Sequence, residues 1–256
     1  MAEFRELVER LAAESEDREY LLRRVHNYVR DEIKFGWTAQ FDQAEADYTL
    51  AAGRGHCVPQ VRLFTALLRE LGFDATMRFV EIRRDILYGT FPDSFFALVP
   101  ERICHAYAVV KFGEKVLNID SFIADPQYFF NARSRLLGTE REVGFGIHRD
   151  GSINLSLEED SFCQFADSSM MLKDLGRSDS VDEQSTHITK VAPFLSLAAI
   201  LKLSPGLVSR LNEPIEEIRA PGVLLESVFK SYVRPGSKLV VSTLPRGLDE
   251  YRQRLS

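Results

Sequence analysis

Gly53-Arg54-Gly55-His56-Cys57-Val58-Pro59-Gln60 is the stretch from which the rest of the chain is read. A glycine pair precedes a cysteine, a proline follows two residues later, and Val61, Phe64, Leu67, Leu68 and Leu71 then recur at helical spacing up to Gly72. The pattern predicts a loop that delivers Cys57 to a helix start, with Gly72 as the stop. Peptide dipoles present a partial positive charge at such a start, which favours a thiolate over a thiol. Cys57 is thereby the first candidate nucleophile.

Upstream, residues 20–33 carry Leu21, Leu22, Val25, Tyr28, Val29 and Ile33 as an apolar stripe against Arg23, Arg24, Asn27, Arg30 and Asp31, which predicts a helix lying on a core. His26 is read as a histidine on the surface of that helix, without a role. Phe35-Gly36-Trp37 ends the pattern. Residues 38–52 form a polar connection with a short helical turn near 44–50, suited to walling a cleft. Trp37, the only tryptophan, is read as core or hinge packing.

Downstream of Gly72, residues 75–82 read as a strand. Residues 83–102 read as an irregular insertion with Gly89, Pro92 and Pro100 around Phe91, Phe95, Phe96 and Leu98, whose aromatics either pack down, the first reading, or line a pocket. Two extended runs flanking Gly113-Glu114 predict a hairpin. A turn centred there sets Tyr107 opposite Asp120 and His105 opposite Phe122. His105 and Asp120 then share one face as diagonal neighbours, roughly 7–8 Å apart at the backbone and within side-chain reach. A shift of one residue would send them to opposite faces.

Composition bounds the rest. A chain of 256 residues, 45% of them hydrophobic, buries a sizeable core. The formal charge of −6 argues against a partner built on nucleic-acid phosphates. No apolar run reaches about 18 residues and the start has no basic-then-apolar signal, so neither a membrane partner nor secretion is expected and the expected address is cytoplasmic. Three cysteines without a Cys-x-x-Cys pair read as free thiols. Residues 145–157 suggest further strand, and the polar, charged residues 173–186 are the linker candidate. The expected organisation is a core over 1–172 and an α/β appendage over 187–256. In the appendage an apolar stretch at 191–203, a helix near 223–233 and a strand near 238–242 are legible.

A cysteine nucleophile needs a base nearby, and the base needs an orienting group on its other ring nitrogen. Cys57, His105 and Asp120 supply that set: Cys57 to attack a carbonyl and form a thioester, His105 to take and return the proton, Asp120 to fix the imidazole. Backbone amides at the helix start are natural oxyanion donors. Cys104 points to the other strand face and reads as structural. His56 stands beside the nucleophile, while His148 and His187 have no partner in the pattern. No His/Cys/Asp cluster has ligand spacing, so no metal and no cofactor are expected.

These residues resemble the transglutaminase-like superfamily of papain-type cysteine enzymes. The helix through Val25-His26-Asn27-Tyr28-Val29-Arg30-Asp31 is similar to the one that precedes that family's core. Gly53 to Cys57 with Leu67-Leu68-Arg69-Glu70-Leu71-Gly72-Phe73 is similar to its nucleophile motif, and His105-Ala106-Tyr107 and Asn118-Ile119-Asp120 are similar to its His and Asp strands. Tyr107 departs from the tryptophan frequent two residues after the histidine. The resemblance, over residues 20–125, implies an α+β fold with a Cys-His-Asp triad, the cysteine at a helix start packed on an antiparallel sheet. It implies a cysteine-dependent enzyme that exchanges or hydrolyses the amide bond of a peptide, protein or peptide-like substrate. Two alternatives stand beside it. One is acyl transfer like that of arylamine N-acetyltransferases, against which the His56-Cys57 pair and the preceding helix speak. The other is a catalytically silent interaction module on the same fold.

Overall fold

The computed structural model describes residues 2–165, 170–178 and 205–220. Two helices, α1 (Ala2–Glu14) and α2 (Arg18–Glu32), open the chain. Asp17 caps α2 by accepting the backbone N–H of Glu19 at 2.8 Å, which satisfies one of the free donors of a helix start. Leu21, Leu22, Val25 and Val29 are buried, as the stripe predicts.

Two residues assigned to the polar face are buried as well. His26 is closed off completely, edge-on to Phe64 and Phe122, with Nε2 2.8 Å from Ser121 Oγ. Arg30 is buried with Nη1 donating to the Ile153 carbonyl at 3.0 Å. His26 lies one helical turn from both Leu22 and Val29, so its spacing belongs to the buried stripe. A buried imidazole is tolerated because its nitrogens find partners.

Strand β1 (Lys34–Phe35) pairs in parallel with β2 (Arg54–Gly55). Between them lie a 3-10 turn (Phe41–Gln43) and helix α3 (Ala46–Ala52), where a short helical turn was expected. Helix α4 (Cys57–Glu70) follows at once. It ends as its sequence predicts: Gly72 adopts φ 77, and the Phe73 N–H reaches back to the Leu68 carbonyl at 2.9 Å.

Next come β3 (Asp74–Arg83), a 3-10 turn (Arg84–Leu87), the one-turn helix α5 (Asp93–Phe96), β4 (Arg102–Phe112) and β5 (Lys115–Ile119). The chain continues through α6 (Pro126–Leu137), the short pair β6 (Val143–Gly144) and β7 (Ile147–His148), β8 (Lys173–Ser178) and α7 (Pro205–Arg219). The main sheet is antiparallel in the order β5-β4-β3-β8. Helix α4 packs against β3 and β4. Successive residues of β4 are buried, so the strand is covered on both faces. The fold is thus α+β, with helices set against an antiparallel sheet. Among the described residues no helix is long and apolar enough to cross a membrane.

Three expectations differ from what is observed. Of residues 145–157, only Ile147–His148 is strand; the following chain is irregular and ties back instead, with Ser152 N–H bonded to the Phe162 carbonyl and His148 N–H to that of Cys163. Lys173–Ser178, the first part of the linker candidate, is an edge strand on β3. Its charges sit on a solvated edge, where a strand needs no apolar alternation. Within the stretch read as an appendage, α7 belongs to the same compact unit as the rest of the described chain, burying Leu211, Ile215 and Ile218. The expected elements at 191–203, 223–233 and 238–242, and His187, lie outside the described residues.

Candidate active site

The helix start is built from its local chemistry. His56, in an extended conformation, precedes Cys57, the first residue of α4. The Cys57 side chain is half-buried. Pro59 has no N–H, and the Gln60 amide is used on the His56 carbonyl at 3.0 Å. The amides of Cys57 and Val58 are therefore the donors left at this end of the helix. Gln60 anchors the same turn from its side chain, with Nε2 donating to the Ile33 carbonyl at 2.6 Å.

The hairpin supplies the facing wall. Its ladder pairs Ala108 with Ile119 and Phe112 with Lys115 around Gly113-Glu114, the register read from the sequence. Gly113, at φ 59, takes the first central position of the two-residue turn. Strand β5 ends one residue before Asp120, and the side chains meet as that register requires: His105 Nε2 lies 3.2 Å from Asp120 Oδ2. Both groups are shut off from solvent, with side-chain exposures of 1% and 0%.

Burial works to lower the His105 pKa, but the negative charge and hydrogen bond of Cys57, together with Asp120, outweigh it and raise it to about 9. With Nε2 committed to Asp120, Nδ1 is the ring nitrogen left for the sulfur. The structure therefore brings Cys57, His105 and Asp120 into one electrostatically linked group.

The support under Asp120 is not legible as a motif. Its Oδ1 accepts the backbone N–H groups of Cys163 and Gln164, the latter at 3.3 Å. Its own N–H and that of Ser121 both bond to the Ser161 carbonyl, at 2.9 and 3.1 Å. Gln164 is held in turn by Nε2 donating to the Gly146 carbonyl at 2.6 Å. Phe165 meets the His105 ring edge-on, with centroids 4.7 Å apart. Main-chain donors have no side-chain signature, so this loop escapes sequence reasoning; the paired aromatics Phe162 and Phe165 are its only flag.

His56 faces a different partner from His105. Its Nε2 lies 2.7 Å from Asp42 Oδ1, and its ring packs on Trp37 and Phe41, with centroids 4.9 and 4.6 Å away. Trp37 is buried and stacks between Phe41 and Phe91, so this wall beside Cys57 is a closed aromatic block. Burial, reinforced by the charges of Asp42 and Cys57, pushes the Cys104 thiol well above its ordinary range. Burial does the same to Cys163. His148 accepts the Asp150 N–H on Nδ1 at 3.0 Å. Among the described residues no group of three or more His, Cys, Asp or Glu is placed to hold a metal ion.

Residues 5–121 match the family model described as the transglutaminase-like superfamily, a span that contains Cys57, His105 and Asp120. No curated protein matches the chain.

Proposed function

From the premise that the chain carries a transglutaminase-like domain, we propose that it is a cysteine-dependent enzyme acting on amide bonds through a thioester at Cys57. The observation that carries this reading is the buried His105–Asp120 pair, 3.2 Å apart, together with Cys57 at the first residue of α4. A buried imidazole tied to a carboxylate, beside a cysteine at a helix start, is the arrangement that lets a histidine take the thiol proton for attack.

The Cys57 thiolate adds to the amide carbonyl carbon, and the oxyanion is met by the amides of Cys57 and Val58. His105 then gives its proton to the departing amine as the C–N bond breaks, leaving the acyl group on sulfur. An incoming water or amine surrenders its proton to His105 as it attacks the thioester and expels the thiolate. Water gives hydrolysis and an amine gives transamidation. Asp120 stabilises the imidazolium throughout and holds the ring orientation.

The deciding experiment is alkylation of Cys57 near neutral pH, followed by intact mass. Fast modification, slowed by His105→Ala, supports the reading. Reaction at the rate of an ordinary thiol, unaffected by that substitution, sinks it and favours the silent module. Incubation with acetyl-coenzyme A tests the acetyltransferase alternative, which requires an acetyl adduct on Cys57.

A further inference from the structure

Helix α7 grips the strands that lead into the site, although it lies in sequence far beyond the family-matched residues 5–121. Asn212 is buried and clamps the main chain of Trp37 from both sides: Oδ1 accepts the Trp37 N–H at 2.8 Å, and Nδ2 donates to the Trp37 carbonyl at 2.9 Å. The same Oδ1 accepts from Arg54 Nη1 at 3.2 Å, and Arg54 Nη2 pairs with Glu216 Oε1 at 2.6 Å. One turn further along α7, Arg219 donates to the Phe35 carbonyl at 2.7 Å and pairs with Asp125 at 2.9 Å.

Both ends of this grip touch segments that carry site residues. Arg54 stands three residues before Cys57, and Asp125 five residues after Asp120. Gly36 and Gly55 are bonded to each other, N–H to carbonyl, at 2.9 Å. The approach is close: a Cβ on Gly36 would lie 2.6 Å from Arg54 Nη1 and 2.7 Å from Asn212 Oδ1. The Trp37 ring rests on that of His56, the residue immediately before Cys57. A displacement of Trp37 is thus passed directly to the helix start.

We infer that α7 is a positioning strap for this site, with Asn212 its principal positioning residue and the Glu216–Arg54 pair its auxiliary. The inference rests on the reading of Cys57 and His105 as nucleophile and base. Without the strap the segment loses the Asn212 and Arg219 bonds to its main chain and keeps its short ladder, the Gln60 anchor and the aromatic stacking of Trp37, and a displacement of about 1 Å at a reacting group is enough to cost on the order of a hundredfold in rate.

The test is the pH–rate profile for iodoacetamide alkylation of Cys57 in the full chain, comparing Asn212→Leu, Glu216→Ala and His105→Ala with the parent, alongside thermal unfolding. Asn212→Leu is expected to slow alkylation at pH 7 at least tenfold and to move the profile toward that of His105→Ala, with a smaller shift in the same direction for Glu216→Ala. A purely structural role would lower the unfolding midpoint and leave the profile of the folded protein in place. If His105→Ala slows alkylation while folded Asn212→Leu stays within twofold of the parent at every pH, the strap is overturned and the enzyme reading stands. If His105→Ala changes nothing, the enzyme reading itself fails and takes the strap with it. Should Asn212→Leu not fold, Glu216→Ala at its partly exposed position decides: a shifted profile supports the strap, an unchanged one overturns it.

Discussion

Asp120 Oδ2 lies 3.2 Å from His105 Nε2 in a place closed to solvent, while the other oxygen of the same carboxylate is held by the main chain of Cys163 and Gln164. The two halves of the carboxylate therefore have separable consequences. One orients the histidine and stabilises its charged form. The other satisfies two amides that would otherwise be buried without partners.

Substitutions at Asp120 should divide along that line. Asp120→Asn keeps an oxygen for the Cys163 and Gln164 amides but turns an NH2 toward His105, so the ring must accept where it now donates and the wrong tautomer is favoured. Amide-bond turnover should fall by about 10²–10⁴-fold with a small change in stability. Asp120→Ala also abandons the amides, each worth about 1–3 kcal/mol when left unsatisfied, and should lower the denaturant midpoint markedly. Urea unfolding and single-turnover rates on both variants check the division; equal stability of the two would contradict it.

His105 supplies a pH signature. With its pKa raised to about 9 in the folded chain against an ordinary value of 6.5, the folded state binds the extra proton between those values. The stability it contributes is complete below pH 6.5 and is lost as pH rises through about 9. Imidazole NMR should report a protonated His105 at pH 7. Cys57→Ser removes the neighbouring charge that does most to raise the pKa, so the midpoint should fall. An unchanged midpoint would mean that Cys57 does not interact with the ring.

Local pattern decided what was legible. The helix from Cys57, its stop at Gly72 and the hairpin about Gly113-Glu114 are written in glycine placement and apolar spacing, and the register alone brings His105 to Asp120. Features resting on main-chain partners or a solvated edge were not legible. The Cys163 and Gln164 amides that hold Asp120 have no side-chain signal, and Lys173–Ser178 is charged because it forms the sheet edge. His26 is a different case, since its spacing marked it as buried and its residue type pointed the other way. Helix α6 was not read from the sequence: Asp125 caps it and Pro126 follows, but its packing partner α7 lies far along the chain.

Gly151 links the irregular segment to the site by contact. A Cβ there would lie 2.4 Å from the Cys163 carbonyl oxygen and 2.9 Å from its carbon, and that carbonyl already receives the His148 N–H at 2.9 Å. Backbone cannot swing aside as a flexible side chain would. Gly151→Ala should therefore cost about 1–3 kcal/mol, the usual penalty of overpacking. It should also move the Cys163 amide off Asp120 and lower the His105 midpoint. Loss of stability with an unmoved His105 would show that the loop relaxes without reaching Asp120.

His26 sets the acid limit of the fold. Burial first, then the charge of Arg30, lower its pKa to about 3, against the partial support of Asn27. Between about pH 6.5 and 3 the unfolded chain binds a proton that the folded one refuses, so stability rises with pH across that window and is fully present above it. Each pH unit of acidification inside the window should cost about 1.4 kcal/mol from this residue alone. His26→Gln keeps a hydrogen-bonding group for Ser121, which His26 meets at 2.8 Å, but has nothing to titrate. It should start from a lower midpoint at pH 7.5, because the edge-on packing with Phe64 and Phe122 is lost, and then decline less steeply on acidification. Unfolding midpoints at half-unit steps from pH 7.5 to 4 measure the two slopes, and parallel curves for parent and variant would remove His26 as the acid-sensitive group.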